Sequence, residues 1–359
     1  MILELRRHPE EWRPVVLVTA QHRRILDHTL ELFEISPDYD LNIMQEGQSL
    51  FDVTVKTLRG VESVLAKVKP AMVVVQGDTT TALAAALAAF YCRVRVGHVE
   101  AGLRTRDKYA PFPEEMNRRL ISSLADLHFA PTAWARDNLL REGVPRRTIC
   151  VTGNTVIDAL RLVLRNQKGH DQIPTKGLGP YPRTQKLLLV TAHRRESFGL
   201  PLVRICQALK TLARRNPDVE IVYPVHPNPN VRVPVYRLLG NRKRIHLIEP
   251  VEYAVFARLL AQSYLVLTDS GGIQEEAPAL GKPVLVMRDK TERPEAILAG
   301  TARLVGTAVD RIVSTTERLL NSPAAYRKMA RATNPFGDGR AAGRIRAALH
   351  RYFRRQRLT

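Results

Sequence analysis

Apolar positions along this chain follow two alternating patterns. Short, nearly continuous runs of Val, Ile and Leu recur, and longer stretches with helical period separate them. The runs are Val15–Thr19, Ala71–Gln76, Val94–His98, Leu127–Ala130 and Thr148–Thr152, then Leu187–Thr191, Val219–Tyr223, Ile245–Ile248, Tyr264–Thr268, Pro283–Val286 and Arg303–Val305. Continuous rather than alternating apolar runs predict strands of parallel sheets buried on both faces. Thr79–Tyr91, Pro201–Arg215 and Glu252–Gln262 read as helices between them. A strand–helix–strand rhythm predicts an α/β fold with helices on both faces of each sheet.

The rhythm stops at residues 166–186, a Gly-, Pro- and polar-rich stretch without apolar period. It reads as a linker between two doubly wound, Rossmann-like domains, 1–165 and 187–335, facing one another across a cleft. The 359 residues accommodate both. Residues 336–359 end in a basic helix with Leu349 and Phe353 at helical spacing, expected to return to the first domain. The start fits this plan poorly. Ile2 and Leu5 share a helical face, yet the chain then enters a strand at Val15. A parallel unit needs a strand before that helix, and the first strand of a doubly wound sheet is central. Residues 1–8 therefore read as the end of a helix whose preceding strand is missing.

Composition narrows the function classes. At 45% hydrophobic and 25% charged residues, the chain is not a disordered or collagen-like protein. Lys and Arg number 55 against 35 Asp and Glu, a net charge of +20, which favours acidic partners: nucleic acid, anionic lipid or a phosphorylated small molecule. However, 43 of the 55 are Arg, spread along the whole chain. That distribution suits a GC-rich coding sequence better than a nucleic-acid footprint. Cys92, Cys150 and Cys206 have no metal-ligand spacing and lie in or beside apolar runs. They read as buried free thiols in a reducing compartment. No apolar stretch is long enough to span a membrane and no signal core opens the chain, so a cytoplasmic protein is expected.

Polar motifs follow the strands directly, where ligands of open α/β sheets bind. Gln76-Gly77-Asp78-Thr79 ends one strand; Asp78 either faces the ligand region or shares with Thr79 the capping of the next helix. Val99-Glu100-Ala101-Gly102 ends the next, and Pro113-Glu114-Glu115 opens a helix. Asp78, Glu100 and Glu114 thus come from consecutive strand ends or the loops after them. Clustered carboxylates suit acid–base chemistry. In the second half, Ala192-His193-Arg194-Arg195 and Asp269-Ser270-Gly271-Gly272 end strands, and the latter runs into a helix that bears Glu276. Glycines there let backbone N–H groups approach a phosphate. Arg293, before Pro294, is held extended. Neither GxxxxGK[ST] nor GxGxxG occurs, and the histidines have no metal-binding spacing; no metal is expected.

The segments QGDTTT, GHVEAGLRT, PFPEEMNRR, TGNTVIDAL, TAHRRESFG, YPVHPNPNVR, TDSGGIQEEAPALGKPVLVMRDKTERPE and NPFGDGRAA resemble the bacterial non-hydrolysing UDP-N-acetylglucosamine 2-epimerases, from about Val15 to Ala342. The resemblance implies a glycosyltransferase-B fold and reversible C2 epimerisation of UDP-GlcNAc to UDP-ManNAc. Elimination of UDP would form a 2-acetamidoglucal, and UDP would then re-add. It implies no cofactor, a homodimer, a place in cell-envelope polysaccharide biosynthesis, and UDP-GlcNAc as both substrate and allosteric activator. Carried over by motif, Asp78, Glu100 and Glu114 are the catalytic carboxylates and His193 is the histidine beside the UDP phosphates. Ser270, Gly271, Gly272 and Arg293 would bind the diphosphate, Glu276 the ribose and Phe256 the uracil. Gln21, His22 and Gln48 fall where an activator site is expected. No nucleic acid or membrane partner is implied. Alternatives are a hydrolysing epimerase, a related glycosyltransferase, or a UDP-binding form with little activity. The last arises because family members open with a strand and a GTRPE-type loop that this chain lacks, which a start placed too late, at a GTG codon read as Met, would explain.

Overall fold

A computed structural model describes residues 1–20, 23–45, 47–166 and 186–356. The expected linker therefore lies almost wholly outside the described residues. The chain divides into two compact units, Met1–Asp158 with Phe336–Thr359, and Ala159–Pro335.

The first unit contains strands β1 (Leu17–Val18), β2 (Tyr39–Asp40), β3 (Met72–Gln76), β4 (Arg95–Val99), β5 (Leu127–Ala130) and β6 (Ile149–Val151). Its helices are α1 (Ile2–Arg6), α2 (Arg23–Leu32), α3 (Leu50–Val68), α4 (Thr80–Tyr91), α5 (Glu114–Leu124) and α6 (Ala133–Arg141), and α7 (Thr155–Asn166) crosses into the second unit. All strand pairings are parallel. β1 and β2 form one sheet, and β3-β4-β5-β6 form another. No strand among the described residues joins β1 to β3. The two sheets meet instead through side chains: Leu17 and Leu41 pack on the cluster of Val61, Leu65, Val75 and Ala86. β2 was not expected from the sequence. It is two residues long and half-exposed, too short to show an apolar period.

The second unit contains β7 (Lys186–Thr191), β8 (Val219–Pro224), β9 (Ile245–Ile248), β10 (Leu265–Thr268), β11 (Val284–Val286) and β12 (Ala302–Leu304). The helices are α8 (Leu200–Arg215), α9 (Pro229–Leu239), α10 (Tyr253–Gln262), α11 (Ile273–Ala279), α12 (Pro294–Leu298), α13 (Val309–Asn321) and α14 (Pro323–Ala330). One parallel sheet runs β12-β11-β10-β7-β8-β9, the doubly wound order with the first strand at the centre. β7 and β10 are Leu/Val runs with nearly every residue buried. Ile205, Leu209 and Leu212 of α8 pack on Leu188, Val190 and Ile221, and that shared burial drives the unit's assembly.

α15 (Ala341–Gln356) belongs to the first unit. Ile345, Ala348 and Leu349 cover Val99, Leu127 and Phe129, and Arg346 pairs with Glu4 of α1 at 3.2 Å. The returning chain passes close to Gly153. Gly153 takes φ 84°, and a Cβ there would lie 3.2 Å from the Gly337 Cα, so both the backbone and the crossing favour glycine. One expectation fails: Cys206 is buried, but Cys150 is half-buried and Cys92 is exposed. Cys92 caps the end of α4, where the chain leaves the helix toward solvent. No described helix is long and apolar enough to cross a membrane.

Candidate active site

In the first unit Asp78 and Glu100 follow the neighbouring strands β3 and β4, and Glu114 opens the helix that docks on the Asp78 loop. Thr79, not Asp78, caps α4, accepting from the Ala82 N–H at 3.2 Å. That leaves the Asp78 side chain for tertiary contacts. Gly77 takes φ 74°, a conformation suited to glycine, and turns the chain so that the Glu100 carboxylate lies 3.7 Å from where its Cβ would be. Glu100 itself is left-handed, φ 66°. A non-glycine residue held there marks a constrained turn. His98, wholly buried, bonds the Gly77 carbonyl through Nε2 at 2.8 Å, and burial pushes it down to about 4, so the ring is neutral.

α5 completes this half. Glu114, Asn117 and Arg118 share one helical face. Asn117 donates to the Asp78 carbonyl and Arg118 to the Asp78 carboxylate, both at 2.8 Å. The face that carries Glu114 is thereby docked on the loop that carries Asp78. One Glu114 oxygen is enclosed without a hydrogen-bond partner. Glu115 follows Glu114 in the first turn of α5. It is fully buried, accepts the N–H groups of Thr105 and Arg106, and pairs with Arg118 at 3.2 Å. Sequence reasoning missed Glu115, Asn117 and Arg118. Their spacing after Glu114 was visible, but the Asp78 partner of Asn117 and Arg118 lies 39 and 40 positions away, and Glu115 serves the backbone of Thr105 and Arg106.

In the second unit His193, Arg194 and a Ser-Gly-Gly turn follow the adjacent strands β7 and β10. His193 follows β7 and stacks on His226, ring centroids 5.4 Å apart. Burial lowers its affinity for a proton, opposed by Asp269 and assisted by Arg194 and His226. After β10 come Ser270, Gly271 and Gly272; a Cβ on Gly271 would lie 3.8 Å from Glu292 Oε2 and 4.0 Å from both Arg194 Nη2 and the Arg293 guanidinium carbon. Gly272 has open space at that point, and no side chain caps α11. A diphosphate would meet backbone N–H groups and two guanidinium groups there.

A buried ion pair holds one of those groups, Arg293, in place. Arg293, nearly buried, donates to Glu275 at 2.5 Å, and Arg288 pairs with Glu196. Glu276, one position on, accepts from the Tyr253 hydroxyl at 2.5 Å. Burial pushes its carboxyl up to about 7 and the Tyr253 phenol well above its usual range. Phe256 lies half-buried on α10, one turn after Tyr253. Gln21 and His22 lie outside the described residues. Gln48 precedes α3, half-buried, with its amide oxygen enclosed and unpartnered. No group of three or more candidate metal ligands occurs among the described residues.

Comparison with known proteins shows the family. The family profile described as UDP-N-acetylglucosamine 2-epimerase matches residues 3–350. The UDP-N-acetylglucosamine 2-epimerase of Escherichia coli (strain K12) is 57% identical over 337 residues, 93% of this chain and 90% of that one. The crystal structure of UDP-GlcNAc 2-epimerase from Neisseria meningitidis bound to UDP-GlcNAc superposes with a TM-score of 0.90 at 48% identity. It covers 98% of this chain and 95% of that one. The Methanocaldococcus jannaschii enzyme in complex with UDP-GlcNAc and UDP gives a TM-score of 0.76 at 34% identity, over 97% and 95%. The α/β fold with parallel sheets and its glycosyltransferase-B likeness agree with the expectation from the sequence.

Proposed function

The chain belongs to the UDP-N-acetylglucosamine 2-epimerase family, and from that premise we propose how its own residues carry out the C2 epimerisation of UDP-GlcNAc. The C2 proton of the sugar has no adjacent carbonyl and is barely acidic. If the C1–O bond to UDP breaks first, positive charge develops on the ring and a carboxylate can take the C2 proton. The products of that half-reaction are UDP and 2-acetamidoglucal. Re-addition of UDP at C1, with protonation of C2 on the opposite face, gives UDP-ManNAc.

Inversion needs acid–base groups on both faces, which the cluster of Asp78, Glu100 and Glu114 supplies. Docking of α5 on the Asp78 loop through Asn117 and Arg118 is the observation that carries this reading. The leaving diphosphate gains charge, and preorganised donors stabilise it: the backbone of Ser270, Gly271 and Gly272, with His193 and Arg293. Glu276 accepts from the ribose hydroxyls, and Phe256 flanks the uracil.

Proton NMR of UDP-GlcNAc incubated with the enzyme in D2O tests the scheme. A stable mixture of two UDP-sugars, both deuterated at C2, is expected. Accumulating free UDP and ManNAc would identify the hydrolysing reaction instead, and retention of C2 protium would exclude proton exchange with solvent.

We also propose a homodimer and an activator role for UDP-GlcNAc near Gln21, His22 and Gln48. On α3, Phe51 and Val55 stand outward at 83% and 59% exposure, opposite the buried Val53, Thr57 and Val61; such a face suits a second copy. If UDP-GlcNAc activates, UDP-ManNAc alone turns over slowly until UDP-GlcNAc is added. The exposed free thiol of Cys92 suits a reducing compartment, and we place the reaction in the cytoplasm.

A further inference from the structure

Asp269 is the first residue after β10, and its side chain is completely buried. It sits between neighbouring strands in strict register, Thr268 opposite Thr191, whose hydroxyls are 2.6 Å apart. One carboxylate oxygen, Oδ2, accepts three hydrogen bonds: from the N–H of His193 and of Arg194, each at 2.8 Å, and from the Ser197 hydroxyl at 3.1 Å. Those donors span the loop from β7 toward α8. The other oxygen, Oδ1, has no hydrogen-bond partner, yet lies 3.9 Å from His193 Nδ1.

That asymmetry is informative. Three donors on Oδ2 suffice to hold the loop, and an unpartnered buried carboxylate oxygen is costly. A shift of about 1 Å would bring His193 Nδ1 within hydrogen-bond distance of Oδ1. We propose that Asp269 is the positioning residue of His193, fixing its loop through Oδ2 and accepting Nδ1–H through Oδ1 so that Nε2 is left to face the diphosphate of the substrate. A carboxylate behind a histidine selects its tautomer and stabilises the imidazolium once Nε2 is protonated. The groups facing the ring divide in their effect. Arg194 and His226 oppose its charging, and Asp269 favours it. A bound diphosphate would add to Asp269, so binding UDP should draw a proton onto His193. This inference rests on the second unit's being the UDP site.

Asp269→Asn tests it. The amide oxygen can keep the three loop donors, while its NH2 now points at Nδ1 and forces the opposite tautomer. UDP binding and the melting temperature should change little, and kcat should fall about 10²-fold, the size of a general acid–base contribution. In 15N-histidine spectra the parent should carry its proton on Nδ1 and the variant on Nε2. A kcat within about threefold of the parent with the same tautomer in both would overturn the proposal. Should the variant not fold, the parent's spectrum decides alone, and a neutral ring protonated on Nε2 in the UDP-free enzyme would sink the idea. A double substitution with His193→Gln separates the roles. If Asp269 acts through His193, the second change adds nothing; multiplying losses would contradict it. Failure of the parent itself to bind UDP would instead refute the reading of the second unit.

Discussion

The second unit closes six parallel strands around β7, its first strand, whereas the first unit splits into a pair and a foursome, with β1 and β3 unjoined. The two halves of the chemistry are consequently held by different means. In the second unit His193 and Ser270 leave adjacent, register-locked strands, and Asp269 ties both loops through backbone N–H groups. Backbone ladders position the residues proposed to bind the diphosphate. In the first unit Asp78 and Glu100 leave β3 and β4, but Glu114 arrives on a helix, and side chains do the docking: Arg118 to Asp78 and Glu115, Asn117 to the Asp78 carbonyl. A fold can thus place reacting groups either through its sheet or through a buried polar network. The second means depends more on individual residues.

Substitutions should split along that line. The largest effect is expected for Asp78→Asn, which should cut kcat by at least about 10²-fold with UDP affinity preserved. Equal loss of UDP binding, measured by calorimetry, would erase the distinction between the halves. Arg293→Lys keeps the charge but loses the fork that reaches both Glu275 and a phosphate. It should weaken UDP binding and raise KM about tenfold, roughly 1.4 kcal/mol, with a smaller change in kcat. A kcat defect without a KM defect would place Arg293 with the chemistry rather than the binding.

Glu276 gives a pH dependence confined to the second unit. Its carboxyl is raised from 4.5 to about 7 by burial, so between those values the folded state holds a proton that the unfolded state releases. Its contribution to stability is full below 4.5 and is lost as pH rises toward 7. UDP affinity should run the other way, because ribose hydroxyls donate to the ionised carboxylate: binding strengthens as pH rises to 7. Glu276→Gln should flatten both curves, and a variant with the parent's pH dependence would exclude Glu276 as the source.

The smallest expected effect concerns the sheets directly. Among the described residues β7 pairs on both sides, while β3 pairs with β4 alone. Because N–H groups alternate in direction along a strand, β3 should show alternating slow and fast amide exchange and β7 uniformly slow exchange. Uniform protection along β3 would show that its open edge is closed in solution.

Much of this was legible in the sequence. Buried parallel strands announce themselves by continuous Val/Ile/Leu runs, and eleven of the twelve were located that way; β2, two residues long, left no such trace. The polar motifs lie at strand ends because the fold puts its ligands there. The Asp78 ambiguity could not be resolved from spacing, since a Thr and an Asp at a helix start are both good caps. The choice depended on Arg118, whose approach only packing decides. Cys92 shows the reverse error: an apolar neighbourhood suggested burial, but the residue sits where α4 ends in solvent.

By itself, then, the sequence determined the α/β class, the family and the residue types of the chemistry, because hydrophobic period and turn composition are local properties that neighbours in the chain impose. The tertiary structure alone decided that Arg118 and Asn117 hold the Asp78 loop, and that Asp269 lies behind His193. Those are contacts between polar atoms 39 to 76 positions apart. Their energy depends on distance and desolvation, which exist only once the strands are in register.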